Sequence, residues 1–438
     1  MKARVYLLGL LVFCTACTAP SLRYKSDVSH QMAQGDFKVA ADMVAAKRTK
    51  HYARQDRALA YLDEAVLRHD ASENAKSDEL FAQAQERIDE LYTVSASKSA
   101  GRLLVNDLTL PYSVAPYERA MTYFYRAMNF IEQNDLQNAA VEARRAVQFL
   151  DNLRGSKRSG YNDDPFVQYF TSLVFESVGQ LSDARLSRSN ALNGYQKLGG
   201  LLKVSAPEFS VPSNYANLGE VIILHYNGLL PLKRNATIQV AWDRMYSVLS
   251  TAQETNRSDL SPQVVNALQA GFMGHAVTVA FPELTPQPYS IVSSFAESPD
   301  GQRYTLQKVA DLSAAAQADL EERKPGIWFR AISRAVAKQV TAQAARQAAR
   351  SASKDDNWGD VAELFVNILG SAVEKADTRQ WFTLPAQILM ARMFVAPGTQ
   401  DIKLRFRDRF GNIIGEHTFE NVRVTPGGRV YLHYRTAK

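Results

Sequence analysis

The chain has 438 residues, 46% hydrophobic and 22% charged, with a formal net charge of +6. These are the proportions of an ordinary globular protein, long enough for two or three domains. So mild a positive charge argues against a nucleic-acid protein, though it tolerates anionic surfaces.

At the start, Lys2 and Arg4 precede an apolar stretch, Val5 to Phe13. It has signal-peptide length and is too short to cross a bilayer, which takes about 20 apolar residues. The small residues Thr15 and Ala16 then precede Cys17. This resembles the lipobox of bacterial lipoproteins, with Cys14 where an aliphatic residue is usual. The resemblance implies a signal peptide over residues 1–16 and acyl chains, palmitate among them, on Cys17. Phe13 is too bulky for cleavage ahead of Cys14. Thr18, rather than Asp, implies by the same resemblance the outer membrane, with the protein lipid-anchored and facing the periplasm. Without residues 1–16, which hold Lys2 and Arg4, 49 basic and 45 acidic residues leave +4. Acylation consumes the remaining thiol, so a disulfide, a cysteine zinc site and thiol catalysis are excluded. Residues 17–29 read as a polar tether.

Residues 30–204 read as helical hairpins. Met121, Phe124, Met128 and Ile131, then Ala139, Ala143, Ala146 and Phe149, recur at helical spacing on either side of the turn signal Gln133-Asn134-Asp135. Residues 166–195 repeat the pattern about Val178-Gly179-Gln180, and weaker traces lie at 33–47 and 63–88. The pattern resembles the tetratricopeptide repeat, with small residues at 40, 77, 139 and 184. Their uneven spacing implies insertions at 95–116 and 152–165. In such stacks the first helices make a concave face that takes a segment of another protein. Phe124, Met128, Phe166 and Tyr169 are the candidates for that face, unless the C-terminal half covers them as core. Arg144 and Arg145 are candidates for an acidic partner. Glu142 and Arg145 are also placed to pair as a surface ion pair.

Residues 205–383 change texture. Glu220–Tyr226 predicts a strand ended by Asn227-Gly228, and 236–240, 277–281 and 289–295 are strand-like. Residues 308–350 predict a helix broken at Pro325-Gly326, and 360–376 another. A basic face on these helices suits either a sheet or an anionic membrane. Residues 384–438 predict a small β domain with strands at 387–395, 401–406, 422–424 and 430–434, the last two joined as strand–turn–strand by Pro426-Gly427-Gly428. The fold class expected is α+β: all-α tetratricopeptide-like hairpins, a mixed α/β region, then a small β-sandwich-like domain.

No HExxH, GxSxG, P-loop or GxGxxG occurs. His225 reads as a satisfied histidine in an apolar strand, Asp163-Asp164 before Pro165 as a helix N-terminus, and Asp377–Trp381 as a structural corner in which Arg379 pairs with Asp377 and stacks on Trp381. No catalytic, metal or cofactor-binding residue is assigned.

The stretches AMNFIEQNDLQNAAVEARRA, DPFVQYFTSLVFESVGQLSDA, GEVIILHYNGLLPLK and DTRQWFTLPAQILMAR, in this order, resemble an uncharacterised bacterial lipoprotein family with a tetratricopeptide-like N-terminal half. The family carries no established reaction, and its setting implies an envelope role. The expectation is a non-enzymatic adaptor for other envelope proteins, lipoproteins included, held to the membrane by its acyl anchor. The rival is an enzyme or ligand-binding protein acting on envelope glycan or lipid through a pocket near His225, His275 or Trp381.

Overall fold

The computed structural model describes residues 20–96, 108, 110–156, 160–208, 211–241, 276–352 and 375–438. Four helical hairpins come first. They are α1 (Leu22–Gln34) with α2 (Phe37–His51), α3 (Arg57–Asp70) with α4 (Asn74–Ala96), α5 (Pro116–Glu132) with α6 (Leu136–Arg154), and α7 (Pro165–Ser177) with α8 (Leu181–Leu202). Each turns on one left-handed residue: Gly35 (φ 86°), Ser72 (φ 59°), Asn134 (φ 60°) and Gly179 (φ 76°). That conformation returns the next N–H to the helix it has just left. Asp36 donates to the Gln31 carbonyl at 3.0 Å, Glu73 to Arg68 at 2.8 Å, Asp135 to Phe130 at 2.8 Å and Gln180 to Phe175 at 2.9 Å. Five positions past each turn residue stands a small buried side chain, Ala40, Ser77, Ala139 or Ala184, where the paired helices cross. Successive helices pack in chain order, α3 also touches α5, and α5 touches α7. The first helices therefore line one face of a continuous stack.

The stack begins earlier than expected. Residues 22–29, read as tether, are the first turns of α1, capped by Ser21 Oγ, which accepts from Tyr24 N at 3.2 Å. Tyr24, Val28 and Met32 are buried, so the helix is held by core packing.

The C-terminal half supplies β1 (Gly219–Asn227), β2 (Leu232–Ala241), β3 (Ala276–Thr285), β4 (Ser293–Glu297), β5 (Arg303–Thr305), β6 (Gln307–Asp311), α9 (Leu312–Ala352), β7 (Gln387–Val395), β8 (Gly398–Arg407), β9 (Ile413–Val424) and β10 (Arg429–Thr436). One sheet has the order β10-β1-β7-β6, a second β5-β4-β8-β9, and β2 and β3 form a ribbon. The β1–β10 pair is parallel and the other pairs are antiparallel. Strand β1 is buried throughout, its central run Val221–Leu224 apolar, because both its faces are covered. Ile222, Leu224 and Tyr226 pack on the helices, while Val221 and Ile223 pack on the second sheet with Ile402, Leu404 and Phe406. The architecture is three layers, helices on sheet on sheet, and the class is α+β.

Three expectations need correction. The sandwich is not a separate end domain: β7 and β10, from residues 384–438, flank β1 in one sheet. The turn at Pro426-Gly427-Gly428 does not close a hairpin, because β9 pairs with β8 and the chain then crosses to the other sheet to lie beside β1. Residues 307–311 are strand, and α9 runs through Pro325 without ending there. A proline removes one donor and crowds one carbonyl, which a helix of 41 residues tolerates. The helix expected at 360–376 lies outside the described residues, except for its last two positions, which the structure leaves non-helical.

Candidate functional site

The concave face of the stack is occupied by the chain itself. Residues 377–384, Asp-Thr-Arg-Gln-Trp-Phe-Thr-Leu, run along the first helices, and their backbone groups are met by side chains of the stack. Lys25 of α1 donates to the Thr378 carbonyl at 3.0 Å. Trp381 N donates to Glu118 Oε1 of α5 at 3.1 Å, and Thr383 Oγ1 donates to Asp63 Oδ1 of α3 at 3.0 Å. Arg379 donates to Asp56 Oδ1 at 2.6 Å and to the Leu110 carbonyl at 2.7 Å, and pairs with Asp377 at 2.7 Å. Its guanidinium faces the Tyr112 ring, not Trp381 as expected. Trp381 is fully buried against Phe81 and Tyr125. Side chains of the stack thus satisfy the backbone of a segment that is neither helix nor strand and turns at Phe382 and Thr383.

Burial sets the charges under this segment. It raises the Asp63 carboxyl to about 7, against hydrogen bonds from Tyr52 and Thr383. It lowers the Lys25 ammonium to about 8, despite Asp63 nearby. Lys25 also lies over the Phe382 ring.

The four apolar residues named from the sequence are core. Phe124 packs on Phe166, Phe170 and Tyr226, so the central sheet covers what an open stack would present. Phe124, Met128, Phe166 and Tyr169 are at most 5% exposed, which removes them as an open groove. Arg144 and Arg145 stay outside on α6. Arg144 donates to Gln180 at 3.0 Å, and Arg145 pairs with Glu142 at 2.8 Å as expected. Glu142 is buried and also meets Arg126 at 3.0 Å. Asp164 caps α7, accepting from Val167 N at 2.9 Å, with Pro165 at the first position. Cys17 and His275 lie outside the described residues.

A second cluster sits between α3, α5 and the β1–β10 pair. His433 of β10 donates from Nδ1 to Glu132 Oε1 of α5. Burial would raise the Glu132 carboxyl, but the His433 cation, with His69, holds it at about 2. Burial pulls His433 down, but Glu132 overcomes it and holds the imidazole above its ordinary value. His69 stacks on His433 with ring centres 4.3 Å apart and planes at 21°. Burial and the His433 charge push His69 down to about 4. Its Nδ1 meets Asn129 Oδ1 at 2.7 Å, and its Nε2 is without a hydrogen-bond partner. Asp70 lies 3.4 Å from Arg435. Burial raises its carboxyl to about 6, against that cation. The hydroxyls of Tyr125 and Tyr226 and both Asp70 oxygens also make no hydrogen bond.

Donor atoms of His69, Glu132 and His433 lie within 4.8 Å of one another, the reach of a metal site. The ring geometry does not fit one. Face-to-face imidazoles send their lone pairs side by side, whereas a shared ion needs them to converge. The arrangement favours a proton on His433 over one on His69. Sequence spacing could not reveal this cluster, whose members come from three separate elements.

His225 and Trp381 line no open pocket. His225 is fully buried, bonded to Ser294 Oγ at 3.0 Å and Thr436 Oγ1 at 2.8 Å. A cleft of about 260 Å³ lies elsewhere, against α6 and α8, lined by Arg154, Asn162, Asp163, Asn190, Asn193 and Lys197 among others. No helix among the described residues is long and apolar enough to cross a membrane. No protein-family model and no curated protein matches the sequence.

Proposed function

We propose that this chain is a non-enzymatic scaffold of the bacterial envelope, lipid-anchored at Cys17 in the outer membrane, that engages other envelope proteins through its outer surface. The observation that carries the reading is the occupied groove. A helical stack whose groove is filled by its own C-terminal half meets a partner from outside.

The outside offers apolar positions. Leu181, Leu186, Leu192 and Leu201 on α8, the last helix of the stack, are 43–58% exposed. Terminal helices of repeat stacks ordinarily carry a polar outer face. Phe410, Ile413 and Ile414 at the β8–β9 tip are exposed as well. Arg144 and Arg145 stand on neighbouring α6 and suit an acidic rim on the partner.

Photo-crosslinking residues placed one at a time at Leu186, Leu192 and Phe410 in intact cells test the reading, with Phe124 as a buried control. The expected result is capture of a defined envelope protein from at least one outer position and none from Phe124. Outer positions that capture no more than the control would refute it.

A further inference from the structure

The end of the stack next to the N-terminus carries a cluster of basic residues. Antiparallel pairing brings the start of α1, the end of α2 and the start of α3 to the same end. The stacking of Tyr24 on His51, ring centres 4.0 Å apart, fixes the first two together. Around that point stand Arg23, Lys50, Arg54 and Arg57, all exposed, and the half-buried Lys47. None of the five makes an ion pair with a described residue. The acids on the same turns are Asp27, which is exposed, and Asp56, which is buried and bound to Arg379. The surplus acts on His51: burial lowers its imidazole, and the charges of Lys50 and Lys47 lower it further against Asp27.

The length of chain ahead of α1 limits what this end can face. Ser21 caps α1, and α1 is locked into the core. From Cys17 to Ser21 the chain spans at most roughly 14 Å. If the acyl chains are on Cys17, which is the reading above, the basic end lies within one short peptide of the bilayer surface.

We infer that this end is a membrane-docking surface whose partner is the anionic phospholipid headgroups of the leaflet that takes the acyl chains. Lys and Arg near such a surface contribute about 1 kcal/mol each, and the attraction decays within a Debye length. A short tether and a basic collar act together: the anchor supplies residence at the membrane, and the collar fixes which end of the body faces it. Leu22, 45% exposed beside Arg23, supplies an apolar contact in the same place.

The chain from residue 18 onward retains every described element and carries no acyl group. It is tested by flotation with vesicles of phosphatidylglycerol and phosphatidylcholine, and with phosphatidylcholine alone. The expected result is about tenfold or greater preference for the anionic vesicles at low salt, abolished near about 1 M salt, where the Debye length is about 3 Å. The variant Arg23→Glu/Lys50→Glu/Arg54→Glu loses the preference with an unchanged melting temperature. If that variant melts lower, Lys50→Gln/Arg54→Gln is read instead, with a smaller preference expected. Equal binding of the wild type to both vesicles, or a folded variant that binds as the wild type does, overturns the inference. Palmitate labelling of the full chain and its Cys17→Ser variant in cells reports on the anchor separately. Absence of labelling would sink the anchor while leaving the vesicle result readable.

Discussion

Glu132 and His433 meet across the junction of helix and sheet, and the pair gives stability a definite dependence on pH. The Glu132 value of about 2 lies below the ordinary 4.5, so its contribution is full above about pH 4.5 and lost as pH falls through 2. His433 is raised above 6.5, so its contribution is full below 6.5 and lost as pH rises through the raised value. The pair should therefore weaken as pH rises above 6.5 and through that raised value. Asp63 and Lys25 titrate in the same window, so the informative quantity is the difference between two profiles. In Glu132→Gln, His433 sheds its proton instead of staying buried and unpaired. The variant should be less stable by about 1–3 kcal/mol near pH 6. That deficit should shrink toward pH 9, as read from urea midpoints. Parallel profiles would show that the ion pair does not form. Arg379 allows a simpler test, because it has no neutral state to retreat to. Arg379→Ala leaves Asp56 buried without its cation and should cost about 3–5 kcal/mol, with Arg379→Lys intermediate, since an ammonium cannot reproduce the forked contacts.

At the scale of elements, the turns explain why four hairpins are readable in an irregular chain. Gly35, Asn134 and Gly179 are residue types that enter the left-handed region readily, and each stands five positions before a small helix-crossing residue. Ser72 occupies the same place at φ 59° without that freedom. Ser72→Gly should raise stability by about 0.5–1 kcal/mol in a denaturant melt, and Ser72→Val should lower it by more, the order expected where a left-handed backbone is imposed. Local signals of this kind reached the hairpins, the α7 cap at Asp164 and the strand at 220–226. They did not reach sheet order. The pattern of β10 gives its faces, but nothing in Val430–Tyr434 says that it lies parallel to β1 instead of returning along β9. In Asp377–Leu384 the Arg379–Asp377 pair was legible, but the segment's place in the groove was not. Its apolar and polar residues alternate without period, because each answers a different side chain of the groove: Arg379 to Asp56, Trp381 to Glu118 and Phe81, Thr383 to Asp63.

For the whole molecule, the consequence is that the stack and the sheets stabilise each other and cannot be separated at residue 204. Phe124, Phe166 and Phe170 are buried only while the central sheet covers them. Strand β10 closes that sheet at the edge beside the His69 cluster, and Arg429 binds Glu220 at 2.6 Å and Glu176 of α7 at 2.9 Å. Removing residues 429–438 would strip β1 of its parallel partner, leave Glu132 without His433 and uncover Phe170, which packs on Tyr431. The truncated chain should keep most of its helical circular dichroism, because the hairpin turns are local. It should bind a hydrophobic dye and lose its cooperative melt, as a compact state without fixed packing does. The fragment 20–204 should behave in the same way. A synthetic peptide spanning 375–386 should restore a cooperative melt to it in a concentration-dependent manner, as ligand linkage requires. A fragment that melts cooperatively alone and ignores the peptide would show that the groove is a complete domain, with the C-terminal half merely resting on it.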